Sequence, residues 1–226
     1  MKFPSKSAKS PAKPGTQHRP RLAPRQIRII GGQWKRTILS VIDAEGLRPT
    51  PDRVRETVFN WLNFLVDQNW SSLRCLDLFA GSGALGIEAA SRGAAEVVLI
   101  ENQAQAHQQI QQVLQKLQAK QCQLVRQDAL AYLAKAPVNC FDVIFLDPPF
   151  AREYLQKTIP ACSALLSDHG YLYVEAEFDL NSVSQEPAWQ TILQNWQIIR
   201  QDKAGQVYFH ILQRSKISQP RAETQA

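Results

Sequence analysis

Residues 76–86 read LDLFAGSGALG, and this stretch decides the fold. The apolar residues that run up to Leu78 and Phe79 are typical of a buried strand, and Gly81, Gly83 and Gly86 follow with the spacing G-x-G-x-x-G. Glycines between a strand and a helix let the backbone approach a ligand closely and leave the first helix N–H groups free. The loop alone is weak evidence, because glycines also allow a helix to pack closely on a strand when no ligand is bound.

Strand-like and helix-like segments alternate on the C-terminal side of this loop. We predict strands at LRCLDLF, AEVVLIE, QLVRQ, FDVIFLD and GYLYVEAE, with helices at 84–92, 103–118, 129–135 and 152–166 between them. Repeated β-α units form a mostly parallel sheet with helices on both faces, and ligands bind at the carboxyl ends of its strands. WQIIRQD and QVYFHILQ, joined by a turn at 203–205, predict a C-terminal antiparallel hairpin.

The N-terminal part of the chain is basic. Residues 1–55 hold 13 of the 26 Lys and Arg residues but only three acids, which is typical of a polyanion-binding segment attached to a more acidic body. Residues 25–41 predict a β-hairpin that turns at Gly31-Gly32, and a helix with Asp52 as its N-cap follows.

Other sequence features exclude some classes of protein. No apolar run is long enough to cross a bilayer, and the start of the chain lacks the apolar core of a signal peptide, so we expect a cytoplasmic protein that contacts no membrane. The four cysteines and four histidines are scattered without ligand spacing, so we expect no metal site and no disulfide framework.

Acidic residues stand where the first three predicted strands end. Glu101 closes the second strand, 20 residues beyond Gly81, where a carboxylate can accept hydrogen bonds from a ribose. Asp77 beside the glycine loop favours a cationic ligand such as S-adenosylmethionine over a dinucleotide, which carries phosphates. Asp128 can meet an adenine amino group, cap the next helix, or do both. These residues predict S-adenosylmethionine as the cofactor.

The fourth strand ends in DPPF, residues 147–150. Pro148 and Pro149 have fixed φ angles, so Asp147 and the Pro148 carbonyl form a rigid pair of acceptors, with Phe150 beside them. Two acceptors and a ring suit an exocyclic amino group on a planar base. Good alignment of the reacting nitrogen is worth roughly 7–11 kcal/mol of barrier. A plain turn does not explain an acid and paired prolines after a buried strand.

The set DLFAGSGALG, LIEN, RQDAL and FLDPPF resembles the class I S-adenosylmethionine-dependent amino methyltransferases. Outside this core, RIIGGQWKRTIL, GLRPTPDRVRETVFNWL, YLYVEAE and DKAGQVYFHIL are similar to the bacterial family that methylates N2 of a guanine in small-subunit ribosomal RNA. The resemblance extends from about Arg25 to Gln213. It implies an α/β, Rossmann-like class I methyltransferase fold with an N-terminal β-hairpin extension. It also implies a monomer that acts on guanine 966 of 16S ribosomal RNA in an assembling small subunit.

The resemblance assigns roles to individual residues. The methyl-donor site would be lined by Asp77, Phe79, Ala80, Gly81, Ser82, Gly83, Glu101, Asn102, Asp128 and Ala129. The target guanine would be held by Asp147, Pro148, Pro149 and Phe150, and residues 48–55 would lie beside both. RNA phosphates would be met by Arg25, Arg28, Lys35, Arg36, Arg48, Arg53 and Arg55. The expected domains are a disordered basic tail (1–24), a hairpin and RNA-binding extension (25–55), the methyltransferase domain (56–214) and a flexible C-terminal tail (215–226).

Three alternatives stay open at this point. The proline motif also serves adenine-N6 methyltransferases that act on DNA or RNA. A non-catalytic RNA-binding protein on the same fold would use only the basic end. A dehydrogenase is disfavoured by the acid beside the glycine loop.

Overall fold

The computed structural model describes residues 25–41, 50–149 and 152–215. The hairpin strands β1 (Arg25–Arg28) and β2 (Ile38–Val41) come first, and helix α1 (Asp52–Leu65) follows. The alternating part contains β3 (Arg74–Asp77), α2 (Ala84–Ser91), β4 (Glu96–Ile100), α3 (Ala104–Leu117), β5 (Cys122–Val125), α4 (Ala129–Leu133), β6 (Phe141–Leu146), α5 (Arg152–Leu165) and β7 (Leu166–Ala176). The last elements are α6 (Leu180–Val183), α7 (Pro187–Leu193), β8 (Trp196–Ala204) and β9 (Val207–Arg214).

The central sheet has seven strands in the order β5-β4-β3-β6-β7-β9-β8. Strands β3 to β7 are parallel to their neighbours, whereas β9 runs antiparallel to both β7 and β8. The chain moves outward from β3 to β4 and β5 and then returns to the other side of β3 as β6. Such a reversal opens a crevice at the carboxyl ends of β3 and β6, where open α/β sheets bind their ligands. The predicted Rossmann-like α/β fold is confirmed.

Alternate residues of the strands face two separate cores. Cys75, Val97, Val143 and Phe145 pack on one face with residues of α1, α2 and α3. The neighbouring residues Leu76, Val98, Ile144 and Leu146 pack on the other face with residues of α4, α5 and α7. Both faces of the sheet are therefore covered, as repeated β-α units require.

The N-terminal hairpin packs in the first of these cores. Ile27, Ile29 and Leu39 are buried beside α1 residues such as Phe59. The strands pair as predicted, with Ile27 opposite Leu39, but the connection is a loop over residues 29–37 and not a tight turn at Gly31-Gly32. The tight turn was wrong because this loop lies against α2: a Cβ on Gly32 would stand 1.8 Å from the Ser91 carbonyl oxygen.

Buried polar groups of α2 hold the hairpin loop in place. Glu88 accepts hydrogen bonds from the backbone N–H of Ile30 (2.7 Å) and of Gly31 (2.9 Å), and from Arg92 Nε (2.8 Å). The Ser91 hydroxyl donates to the Gly31 carbonyl at 2.6 Å. Hydrogen bonds to a buried carboxylate are strong, so the loop is fixed relative to the sheet.

Two local predictions were wrong by one or two residues. Helix α1 has Pro51 at its N-cap, and Asp52 is its first helical residue, so Asp52 does not cap it. The C-terminal hairpin turns at Gly205-Gln206, with Ala204 opposite Val207, and not at 203–205.

The boundary expected between residues 55 and 56 falls inside α1. Helices α6 and α7 were not predicted, because four and seven residues carry too little periodicity to detect.

Across the described ranges, no helix has the length and apolar character that a bilayer span requires. The same residues contain no group of three or more His, Cys, Asp and Glu placed to hold a metal ion.

Candidate active site

The glycine loop joins β3 to α2 at the crevice. Gly81 and Gly83 have φ angles of 54° and 76°, a left-handed conformation that other residues adopt at a cost, and Gly83 is the N-cap of α2. A Cβ on Gly86 would lie 2.9 Å from Leu99 Cδ2. Two of the glycines therefore shape the loop, and the third lets α2 pack against β4.

Glu101 ties this loop to the end of β4. Its buried carboxylate accepts hydrogen bonds from Gly81 N–H (2.7 Å) and Gln103 N–H (2.6 Å). Burial raises the pKa of Glu101, and its backbone hydrogen bonds to Gln103, Gly81 and Asn102 oppose that rise. Each carboxylate oxygen has a further lone pair, so the residue can still accept a hydrogen bond from a ribose hydroxyl.

Asp77 is the last residue of β3 and lies under the loop. It is almost fully buried, and its Oδ2 accepts a hydrogen bond from Gly86 N–H at 2.8 Å. Burial raises the pKa of Asp77 to about 7; the Gly86 hydrogen bond opposes the rise, and the charges of Glu101 and Glu175 add to it. A positively charged ligand near this carboxyl group would favour its ionised form.

Asp147 follows β6 on the other side of the crevice. It is partly exposed, and its Oδ2 lies 3.2 Å from the Thr50 hydroxyl oxygen. The same hydroxyl lies 2.7 Å from Glu175 Oε1, which also accepts a hydrogen bond from the Tyr173 hydroxyl at 2.8 Å. Removal from water raises the pKa of Asp147 well above its usual range, as does the charge of Glu175, whereas the Thr50 hydrogen bond lowers it.

The sequence analysis did not single out Thr50, Tyr173 or Glu175. Tyr173 and Glu175 lie two residues apart on β7, so they share one face of the sheet. Phe145 of β6 is the register partner of Tyr173, and the centroids of their two rings lie 6.1 Å apart. The alternation in YLYVEAE was a signal for this shared face. Thr50 belongs to the range 48–55 that was expected beside the target base, and it contacts Asp147; the position of a base beside them stays a prediction.

The other predicted cofactor residues surround the loop or follow β5. Phe79 is half-buried with its ring against Tyr154, Ser82 is half-buried, and Ala80 is buried. Asn102 is exposed after β4. Asp128 is exposed and caps α4, because its Oδ1 accepts a hydrogen bond from Ala131 N–H at 3.0 Å. The capping role is confirmed, and contact with adenine stays a prediction.

Two predicted site residues offer little side-chain surface to a ligand. Ala129 is buried in the second core, so it would meet a cofactor through its backbone. Pro148 is also buried, whereas Pro149 beside it is exposed. Phe150 lies outside the described residues.

The predicted RNA contacts fall into three groups. Arg28, Lys35, Arg36 and Arg53 are exposed. Arg55 is fully buried: its Nη2 donates to the Arg28 carbonyl (2.8 Å) and to Asp52 Oδ1 (2.6 Å). Arg55 was therefore wrong as a phosphate contact, because its guanidinium supports the hairpin from inside. Arg48 and the side chain of Arg25 lie outside the described residues.

The charges of the crevice fit S-adenosylmethionine. The charged groups that act on Asp77 and Asp147 are other carboxylates, which would repel the phosphates of a dinucleotide. A sulfonium and an α-ammonium group would be attracted. Asp77, Glu101 and the loop from Phe79 to Gly83 would supply an acid, a ribose acceptor and a close backbone approach to this cofactor.

The residues that form this crevice lie within a known family pattern. A family model described as conserved hypothetical protein 95 matches residues 27–213. The chain belongs to this family. Ribosomal RNA small subunit methyltransferase D of Escherichia coli strain K12 is 45% identical to it over 194 residues, which are 84% of this chain and 90% of the relative. The Haemophilus influenzae protein of the same name is 38% identical over 194 residues, covering 83% of this chain and 94% of the relative.

Solved structures of proteins described as methyltransferases are similar to this chain as well. A structure from Escherichia coli, described as a candidate methyltransferase yhhF, is 43% identical and superposes with a TM-score of 0.71, covering 84% of this chain and 98% of the other. A Streptococcus mutans structure described as a candidate methyltransferase is only 16% identical but has a TM-score of 0.63, so it supports the fold alone. The resemblance to class I methyltransferases is confirmed.

Proposed function

We propose that this protein transfers the methyl group of S-adenosylmethionine to the exocyclic N2 amino group of a guanine in small-subunit ribosomal RNA, with guanine 966 of 16S ribosomal RNA as the target. The observation that carries the proposal is the position of Asp147. It follows β6, the strand that pairs with β3, which leads into the glycine loop, and its Oδ2 contacts the buried Thr50 hydroxyl group. The names of the relatives from Escherichia coli and Haemophilus influenzae support small-subunit ribosomal RNA as the substrate.

The methyl donor is S-adenosylmethionine, whose sulfonium makes the methyl carbon electrophilic when it is bound. Asp77 places a carboxyl group beside the positively charged part of the cofactor. Glu101 would accept a hydrogen bond from the ribose, and the hydrogen bond that it accepts from Gly81 N–H fixes the glycine loop beside it. Asp128 stands at the N-terminus of α4, where the adenine amino group is expected.

Asp147 and the Pro148 carbonyl orient the amino group of the target base. The amino nitrogen donates one N–H to each acceptor, which turns its remaining face toward the methyl group. The lone pair of this nitrogen is delocalised into the base, so orientation is the main contribution of the protein to the rate. The methylated ammonium is much more acidic than the amine, and Asp147 is placed to receive its proton.

The exposed cations of the hairpin and of α1 form the RNA-facing surface in this proposal. Arg28, Lys35, Arg36 and Arg53 would meet phosphates, and Glu88 keeps the hairpin loop at a fixed distance from the crevice. The target base is drawn out of its loop into the pocket beside Asp147. The protein acts as a monomer on an assembling small subunit.

The test uses the Asp147→Ala variant and particles that lack the modification. We expect labelled methyl transfer to fall by 100-fold or more, since removal of one positioning group typically costs about that factor. Binding of S-adenosylmethionine, measured by calorimetry, should remain. Asp168→Ala is the matched control, because Asp168 is exposed and pairs with Arg214, away from the crevice.

The product identifies the substrate. Mass spectrometry should find N2-methylguanosine, whereas N6-methyladenosine would replace this proposal with an adenine methyltransferase. Normal turnover by Asp147→Ala would refute the role of Asp147, and failure of the wild type to bind the cofactor would indicate a non-catalytic RNA-binding protein. Parallel assays with naked 16S ribosomal RNA and with particles would test the substrate form.

A further inference from the structure

One hydroxyl group stands between two carboxyl groups at the end of β6. Thr50 Oγ1 lies 2.7 Å from Glu175 Oε1 and 3.2 Å from Asp147 Oδ2. Thr50 and Glu175 are buried, so water does not compete freely for these contacts. A hydroxyl group has one hydrogen and cannot donate to both carboxylates at once.

Counting hydrogens leaves two arrangements of this cluster. In the first, Thr50 and Tyr173 both donate to an ionised Glu175, and a protonated Asp147 donates to Thr50. In the second, a protonated Glu175 donates to Thr50, Thr50 donates to an ionised Asp147, and Tyr173 still donates to Glu175. Each arrangement satisfies every hydrogen bond with one proton for the two carboxyl groups. With no proton on either group, one contact would hold two facing oxygens without a hydrogen between them.

We propose that Asp147 and Glu175 share one proton through the Thr50 hydroxyl, and that Glu175 is a positioning residue that controls the charge of Asp147 and so its strength as an acceptor. This proposal rests on the proposed methyl transfer. When the arrangement shifts, the O–H bond of Asp147 breaks and its proton joins Thr50 Oγ1, while the proton of Thr50 moves to Glu175 Oε1. Asp147 gains the negative charge and Glu175 loses it, so the total charge is unchanged.

The shift prepares Asp147 for the substrate. Its Oδ2 is hydrogen-bonded to Thr50, which leaves Oδ1 for the amino group of the base. In a protonated Asp147 the hydrogen lies on Oδ2, so Oδ1 is a neutral carbonyl oxygen, whereas in an ionised Asp147 it is a charged and therefore stronger acceptor. Glu175 therefore holds the proton that would otherwise neutralise Asp147 and weaken the acceptor that orients the amino nitrogen.

Charged and titratable groups on the surrounding elements set the balance of this pair. Asp77 on β3 adds negative charge near Asp147. Burial raises the pKa of Glu175, whereas the hydrogen bonds from Thr50 and Tyr173 and the charge of the buried Arg55 of α1 lower it. Tyr173 on β7 stays protonated, because burial and the neighbouring carboxylates raise its pKa well above the usual range.

The first test measures titration in the cofactor-free protein. Carboxyl carbons of Asp and Glu are labelled with ¹³C, and the Asp147 signal is followed by NMR between pH 4 and 9. Glu175→Gln keeps the shape but cannot ionise, so the Asp147 titration should move down by about one pH unit or more, as expected when a neighbouring like charge is removed. An Asp147 titration that stays within about 0.3 units of the wild type would overturn the proposal.

A matched pair of variants tests the hydroxyl bridge. Thr50→Ser keeps the bridging oxygen, and Thr50→Val keeps the size but removes it. The acidic limb of the kcat profile should match the wild type in Thr50→Ser and should shift in Thr50→Val. Equal profiles in both would show a structural role only. The NMR titration needs no methyl transfer, so a protein with coupled carboxyl groups but no methylguanosine product would refute the proposed function and leave the shared proton standing.

Discussion

Replacing Gly32 with alanine should detach the hairpin loop from α2. Gly32 has a φ angle of 73°, and a Cβ at this position would stand 1.8 Å from the Ser91 carbonyl oxygen and 2.6 Å from the Arg92 nitrogen. Both are backbone atoms, so no side chain can rotate to relieve the overlap. The loop must lift, and it then loses the hydrogen bonds of Gln33 N–H to the Ser91 carbonyl (2.7 Å) and of Trp34 N–H to the Ser91 hydroxyl (2.9 Å).

The size of the effect follows from these losses. The left-handed conformation costs an alanine about 1–2 kcal/mol, and each lost hydrogen bond costs about 0.5–1.5 kcal/mol. The total is roughly 3–5 kcal/mol once the contacts to Glu88 weaken. A domain of this size loses about 2–4 °C of Tm for each kcal/mol, so Tm should fall by roughly 6–20 °C.

Gly205→Ala is the control for this experiment. Gly205 also has a positive φ angle, 61°, but a Cβ there meets no atom within 4 Å. It should therefore lose only about 1–2 kcal/mol. Thermal unfolding gives the Tm of both variants, and hydrogen exchange at the Ile30 and Gly31 amides reports the loop directly. Equal Tm losses in the two variants, or unchanged exchange in Gly32→Ala, would refute the docking of the loop on Ser91.

Two further variants test the buried carboxyl groups. Glu88→Gln removes a charge that faces Arg92 and Arg55, so urea unfolding should show a loss of about 3–5 kcal/mol of unfolding free energy. The exposed Glu153→Gln is the control and should lose about 0.5 kcal/mol or less. A loss below about 1 kcal/mol in Glu88→Gln would contradict a buried ion pair. Burial raises the pKa of Asp77 from 3.8 to about 7, so the folded protein keeps a proton that the unfolded chain has lost, and stability falls as pH rises through this window. The side chain of the Asp77→Asn variant cannot titrate at this position. The unfolding free energy of the variant minus that of the wild type should therefore increase from about pH 4 to pH 7, by roughly 4 kcal/mol at most, and should stay constant above that range. A difference that does not vary with pH would show that Asp77 is ionised throughout.

The sheet was predictable from the sequence because its signals are local. Each parallel strand is a short apolar run between turn residues in the sequence. Because strands alternate with helices, only a few strand orders are possible for the sheet. The glycine loop was equally clear, because Gly81 and Gly83 are needed for a backbone conformation that other residues avoid. The hairpin loop was not predictable, since its shape is set by α2, more than 50 residues further along the chain.

The burial of Arg55 shows where helical periodicity stops being informative. Arg55 precedes two buried residues by three and four positions, so it lies on the apolar face of α1, yet charge argues for an exposed position. Asp52 is a local partner three residues earlier, but the Arg28 carbonyl and Glu88 come from β1 and α2, and no pattern in the neighbouring sequence indicates these two. The same reasoning applies to Thr50 and Glu175, which are 125 residues apart but share a hydrogen bond.

The segment from Thr50 to Arg55 connects the N-terminal hairpin to Asp147 at the end of β6. At one end, Thr50 contacts Asp147; at the other, Arg55 holds the β1 backbone and approaches Glu88 at 4.0 Å. The segment leads directly into the first turn of α1, so we expect a displacement of the hairpin to reach the hydroxyl group that bridges the two carboxyl groups. If RNA contacts the hairpin as proposed, its binding would be coupled to the protonation of Asp147 through these six residues. A hairpin variant such as Gly32→Ala should therefore alter the Asp147 titration, although Gly32 lies outside the crevice.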